Sequence, residues 1–249
     1  MKDLHNVEPA IPLQISKVGV KGVRKRLFIA RDEPYQIFAT LNMYITLPKN
    51  SRGANMSRFL EALERIEDKT TSLESFVRAL AGALQGAHGS PAIVEAFSEF
   101  PYKVVKFDTT EKRVFPFYFI YNNGVERLGV KVDAMSACPC SYENAGIPHT
   151  QRIIVDVSVE GRLLNIPVGR FVDVVNASAS SPIYYCLKRD EEVKVLKNIK
   201  PRFVEDIIRN IVYEMQSRPY FKGLFARIGV ESFESIHPHQ VYAYWEGVI

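Results

Sequence analysis

The sequence predicts an α+β protein made of two similar halves, each an antiparallel sheet covered on one face by two helices. Three observations point there. An order of two strands, two helices and two strands runs through residues 1–124 and recurs through 125–249. Strand-like stretches alternate apolar and polar side chains, as a sheet with one buried face requires. Helical stretches repeat their apolar positions every three or four residues, so each buries one stripe. The halves share no obvious sequence identity, so the repeat is one of pattern.

In the first half, residues 1–15, with Pro9 and Pro12, read as an irregular leader. Val18, Val20, Val23, Leu27 and Ile29 mark a strand over 16–30. Tyr35, Ile37, Ala39, Leu41, Met43 and Ile45 mark a second over 35–47. The run from Gly53 to Phe59 leads into a helix carrying Leu60, Leu63 and Ile66. Thr71-Ser72-Leu73-Glu74 reads as a capping box opening a second helix to about Leu84. Strands follow over 102–108 and 113–121, and Asn122-Asn123-Gly124 is a turn.

The second half reads as strands over 127–136 and 151–160, helices over 168–178 and 201–216, and strands over 219–231 and 238–246. The helix at 201–216 is the clearest. Phe203, Ile207, Ile211 and Met215 recur at four-residue spacing, and Pro201 stands at its start, where a missing N–H costs nothing.

The bulk numbers bound the function. A chain of 249 residues with 47% apolar and 24% charged residues can bury a substantial core. Net charge is +4, from 32 basic and 28 acidic residues that are interspersed, which reads as a solvated surface, would also fit a phosphate-bearing small substrate, and is not a nucleic-acid signature. No apolar run is long enough to span a bilayer, and the N-terminus lacks a signal-peptide core. The expectation is a cytoplasmic protein that is neither membrane-bound nor nucleic-acid-binding.

Chemistry concentrates in a few places. Cys138 and Cys140 flank one proline, which suits a thiol or metal site better than a disulfide, although two plain core cysteines would read alike. In an extended segment that spacing points both thiols the same way. Cys186, among Tyr184, Tyr185 and Leu187, reads as a plain buried thiol. His149 follows Cys138 across a polar loop long enough to fold back, so thiolate and imidazole can share an ion, although an ordinary surface-loop histidine reads alike. Glu234, His237 and His239 form a third group suited to general acid–base work, or simply a polar turn before the last strand. Glu191 sits in a charge run and Glu205 in the first turn of a helix, where the dipole favours a carboxylate in any case. Ser57 and Arg58 open the first helix, a place that accommodates a phosphate as well as an ordinary cap. His88 reads as a loop residue.

Taken together, Ser136–Ser141, His149 with Gln151-Arg152, Leu187–Glu191, Phe203-Val204-Glu205-Asp206, Glu234-Ser235-Ile236-His237 and Met56-Ser57-Arg58-Phe59 resemble the type IB GTP cyclohydrolases, a group that includes the archaeal enzymes of methanopterin synthesis. The resemblance covers nearly the whole chain, in order. It implies a bimodular tunnelling fold, a homotetramer with active sites at subunit interfaces, and hydrolysis of GTP at C8 with formate release to 7,8-dihydroneopterin triphosphate, the first step of pterin and folate synthesis. It implies one divalent metal per site, zinc, ferrous iron or manganese, on Cys138, His149 and Glu191. Cys140, Glu234 and His237 match catalytic positions, Glu205 the guanine anchor, and Ser57, Arg58, Lys188 and Arg189 are candidates for the triphosphate on charge.

The chain departs from that pattern in places. Asn55 stands where many bacterial members have histidine, and Asn176 where many have glutamate. The metal loop is one residue shorter than the commonest bacterial form. Some archaeal members are thought to form a dihydroneopterin cyclic phosphate. Two alternatives stay open: another tunnelling-fold enzyme acting on a purine or pterin, and a non-catalytic metal- or nucleotide-binding module. A pterin synthase would more typically offer three histidines to zinc.

Overall fold

The computed structural model describes residue 5, residues 7–30 and residues 34–249. The sequence expectation of an α+β chain holds. In order the elements are β1 (Ile15–Ile29), β2 (Tyr35–Leu47), α1 (Met56–Glu64), β3 (Lys69–Thr70), α2 (Leu73–His88), β4 (Ala92–Lys106), β5 (Thr109–Asn122), β6 (Val125–Ala137), α3 (Pro139–Ala145), β7 (Thr150–Gly161), α4 (Gly169–Ser178), β8 (Ser181–Pro182), α5 (Arg189–Lys197), α6 (Val204–Gln216), β9 (Phe225–Phe233) and β10 (Gln240–Val248). Among the described residues no helix is long and apolar enough to cross a membrane.

The chain divides into two compact units, neither of them a continuous stretch. One comprises the residues up to Glu99 with Tyr118–Arg127, the other Phe100–Phe117 with Leu128–Ile249. Strands β4, β5 and β6 therefore each contribute to both units, with the last exchange at 127/128 inside β6.

In the first unit β2 pairs antiparallel with both β1 and β4, and β3 adds a short parallel pair to β1. Alternate residues Ile37, Ala39, Leu41 and Met43 are buried. So are Phe59 and Leu63 of α1 and Phe76, Val77, Leu80 and Leu84 of α2. The strand period of two and the helix period near 3.6 thus meet in one core. The register of β1 on β2 shifts between Val20 and Val23, where Gly22 takes φ 74° and donates its N–H to Asn42 Oδ1 at 2.9 Å, a bulge that glycine accommodates without strain.

In the second unit β7 pairs with β9 and β9 with β10, both antiparallel. β6 lies on the other side of β7, and β8 pairs with β6. The core joins Val132, Ile153, Val155, Val157, Ile228 and Val230 of the sheet to Phe171 and Val175 of α4 and Ile207, Ile211 and Met215 of α6.

Several boundaries differ from expectation, each for a physical reason. The cap of α2 is Ser72, whose hydroxyl accepts from Ser75 N–H at 3.1 Å, one residue later than the capping box placed it, and the helix runs on to His88. Strand β4 begins ten residues early, at Ala92, because Ala92, Val94, Ala96, Ser98 and Phe100 all face inward despite Pro101. Proline interrupts the ladder signal without ending the strand. The helix expected at 201–216 starts only at Val204, because Arg202 is held in a bridge to Ala137. The segment expected as strand from 219 opens as a helical turn, Pro219–Phe221. Helices α3 and α5 arise where the sequence reads as a polar loop and a charge run. They bury no residue, so no apolar stripe announces them. The turn at Asn122-Asn123-Gly124 is as expected, with Asn123 and Gly124 at φ 48° and 87°.

Candidate active site

The antiparallel ladders bring three separated sequence motifs to one end of the second unit's sheet. The end of β6 leads into Cys138, β7 starts just after His149, and Arg152 of β7 is registered with Phe233, the last residue of β9. Cys138 N–H donates to the His149 carbonyl at 3.0 Å, so the two candidate ligands are backbone neighbours. His149 Nδ1 lies 3.0 Å from Gln151 Oε1. With Nδ1 as the donor, Nε2 carries the lone pair a metal takes, and the amide fixes the ring. The rings of His149 and His237 meet edge to face at 6.4 Å, and His237 stacks on His239 at 5.2 Å.

Glu234 lies one residue beyond β9, half-buried, and accepts a hydrogen bond from Ser232 Oγ at 2.8 Å. His237 and His239 are exposed and sit in a bend, not in a strand. They approach by the turn of the backbone about Pro238 and not by strand alternation.

Cys138 and Cys140 do not share an extended segment. Cys138 is the N-cap of α3, and Cys140 lies in its first turn, exposed, so the two thiols diverge. Pro139, at the first helical position, starts the helix. Cys186 is likewise exposed and not buried, because the chain around it runs over the surface. Its neighbour Tyr185 packs against the buried Arg113 guanidinium instead of entering the core.

Glu205, in the first turn of α6, is exposed and makes no hydrogen bond or ion pair among the described residues. The bridge from Ala137 to Arg202 ties the start of α6 to the strand end that carries Cys138. Arg202 also donates to the carbonyls of Ser178 and Ala179, at 2.5 and 3.1 Å, closing the C-terminus of α4.

Glu191 is placed differently. Its carboxylate accepts the Lys188 N–H at 2.7 Å, and Oε2 lies 2.9 Å from Lys106 Nζ. The backbone N–H first, and then the ammonium, hold this carboxyl below the usual carboxylate range. Among the described residues no three of His, Cys, Asp and Glu come together as an ion would need. Cys138 and His149 are neighbours, and Glu191 is not joined to them.

Lys188 and Arg189, at the start of α5, are exposed. Ser57 and Arg58 belong to the first unit. The cap of α1 is Asn55, whose Oδ1 accepts from Ser57 N–H at 3.2 Å and from Ser57 Oγ at 2.8 Å, and Arg58 donates to the Ala87 carbonyl at 3.4 Å. Beside them His88 packs on Phe59 with its Nε2 buried. Burial, and then Arg58, lower its pKa. Sequence reading missed Ser232, Lys106 and Arg202. They act by placing other residues, and only the spatial neighbour makes that visible.

The donor chemistry fits a divalent ion in part. Cys138 and His149 are joined through their backbones, and the imidazole is already oriented by an amide. The carboxylate of the set is held elsewhere by a lysine.

The fold is a tunnelling fold. Uricase from Arthrobacter globiformis superimposes with a TM-score of 0.56 at 8% identity over 97% of this chain and 95% of that one. A hyper-thermostable mutant of the same uricase gives 0.57 at 9% identity, over 97% and 94%. At such identity the likeness is one of fold alone. The family is set by sequence: the model described as type I GTP cyclohydrolase folE2 matches residues 1–243, and the chain belongs to that family, the type IB GTP cyclohydrolases. Proteins named GTP cyclohydrolase FolE2 are similar over their whole length. The one from Magnetococcus marinus is 33% identical over 99% of this chain and 96% of its own. That from Kosmotoga olearia is 29% identical over 98% and 97%, and that from Thermotoga maritima 31% over 98% and 96%.

Proposed function

We propose that this protein is a metal-dependent GTP cyclohydrolase that opens the guanine imidazole ring of GTP at C8, releases formate and forms 7,8-dihydroneopterin triphosphate. Family membership supports the substrate. The observation that carries the site is the meeting of the Cys138–His149 pair with the Glu234–His237 segment at one sheet end. In this reading Cys138, His149 and Glu191 would hold one divalent ion. When bound, that ion supplies Lewis acidity and lowers the pKa of a water at C8. Zinc, ferrous iron and manganese all suit the donor set.

The chain's own groups do the rest. Glu205, exposed and without a partner among the described residues, accepts from the two N–H donors of the guanine edge, a bidentate match for a carboxylate. Glu234 and His237 move protons at the opening ring, with Cys140 close to the substrate. Ser57, Arg58, Lys188 and Arg189 bind the triphosphate as exposed donors. The working form is a cytoplasmic homotetramer with its sites at subunit interfaces. Strand β10 supports this. It ends the second unit's sheet and presents Tyr242, Tyr244 and Val248 to solvent.

The decisive experiment incubates metal-stripped protein with GTP without oxygen, adding Zn²⁺, Mn²⁺ or Fe²⁺ separately. Formate release and the ultraviolet spectrum of a dihydropterin are followed, and mass spectrometry distinguishes triphosphate from cyclic phosphate. Metal-dependent formate with a triphosphate product is expected. Folded, metal-loaded protein that releases no formate would overturn the proposal.

A further inference from the structure

The last residues of β9 hold a polar arrangement that the substrate and metal roles do not use. Ser232 is fully buried (0% exposed), and its hydroxyl donates to Glu234 Oε1 at 2.8 Å. The Ser232 oxygen is then an acceptor, and Ser136 Oγ, itself 1% exposed, lies 3.5 Å from it. Two hydroxyls, from β6 and β9, thus form a buried line that ends on one carboxylate oxygen.

A hydroxyl placed in a sheet core among Ile153, Val155 and Val230 costs free energy unless it is hydrogen-bonded. Here both are directed at Glu234. Glu234 itself needs a tether, because it lies one residue past the last ladder pair, Phe233 with Gln240. Its backbone is outside the sheet, and the chain then turns sharply through Pro238. In an extended strand residues two apart point to the same side, so Ser232 is the nearest rigid position from which a side chain can reach that carboxylate.

We propose that Ser232, backed by Ser136, is a positioning residue that fixes the orientation of the Glu234 carboxylate for proton transfer. The inference rests on Glu234 acting in the reaction proposed above. The Ser232–Glu234 bond is the charge-assisted one, and the more distant Ser136 hydroxyl polarises it. The hydroxyls touch neither substrate nor metal; they act through Glu234.

The test is steady-state kinetics of the metal-loaded enzyme in four variants: Ser232→Ala, Ser136→Ala, Glu234→Gln and the double variant Ser232→Ala with Glu234→Gln. Each is assayed well below its unfolding midpoint. Ser232→Ala is expected to lower kcat about tenfold with KM for GTP held within about twofold, as loss of one charge-assisted bond at a reacting group implies. Ser136→Ala is expected to cost less, roughly threefold. In the Glu234→Gln background Ser232→Ala should have no further effect, because the group it serves is gone. An unchanged kcat in Ser232→Ala, or a full tenfold loss added on top of Glu234→Gln, would overturn the tether while leaving Glu234 catalytic. Full activity in Glu234→Gln would instead remove Glu234 from the chemistry, and the tether with it.

Discussion

Single residues here divide into those that hold the fold and those that are kept open for chemistry. Tyr102 is of the first kind. Its hydroxyl lies 2.9 and 3.0 Å from the two Asp173 oxygens. Burial, and then Asp173, push it from 10.0 up to about 12. Gly169 makes room, since a Cβ there would sit 2.1 Å from the ring. The unfolded chain loses this proton first. Its contribution to stability is therefore complete below pH ~10 and falls as pH rises toward ~12. Tyr102→Phe should cost about 1 kcal/mol in urea unfolding at neutral pH, and the gap from the unsubstituted protein should shrink in that alkaline window. The cysteines are of the second kind. Cys138→Ala should abolish both bound metal and formate release, whereas Cys186→Ala, far along the surface segment, should leave both nearly intact. Metal analysis and the formate assay check this together. The candidate site residues could be picked out in the sequence because thiols and imidazoles are few, 3 and 5, and mostly clustered. The exposure of Cys186 was not legible, because an apolar run reads alike whether the core or the surface takes it.

At the scale of elements, amphipathic periodicity decided what could be foreseen. Helices α2, α4 and α6 each bury a stripe and were visible before folding. Helices α3 and α5 bury nothing and were not. α5 buries no residue, and polar contacts hold its start. Lys106 Nζ reaches both the Glu191 carboxylate at 2.9 Å and the Cys186 carbonyl at 2.7 Å, and the two charged side chains are 14% and 15% exposed. Removing that ammonium as Lys106→Met should loosen α5 while α6, with its apolar stripe, stays put. Hydrogen exchange is the measurement: amides of residues 189–197 should lose protection, and those of 207–215 should not. Uniform loss in both would mean that Lys106 supports the unit as a whole.

For the whole molecule, strand β10 points to assembly. Nine residues long at the end of its sheet, it alternates half-exposed and exposed side chains, with Glu246 the one acidic side chain on it. Such an edge is a template for pairing with a second copy. The proposed tetramer predicts a native mass near four times the 28.3 kDa chain by light scattering. Lysine at both Tyr242 and Tyr244 should lower that mass and the cyclohydrolase activity together. A native mass of one chain with full turnover would refute interface active sites.

The sequence by itself determined the α+β class, the recurring strand and helix order and the motifs that mark the family. All three depend on local periodicity or on the identity of uncommon side chains. Only the tertiary structure decided which of those motifs meet. Antiparallel register brought His149 to Cys138 and the end of β9 to the start of β7. A salt bridge holds Glu191 to Lys106, far along the chain. Pairing and ionic capture act between residues distant in sequence, so no window of the chain contains them.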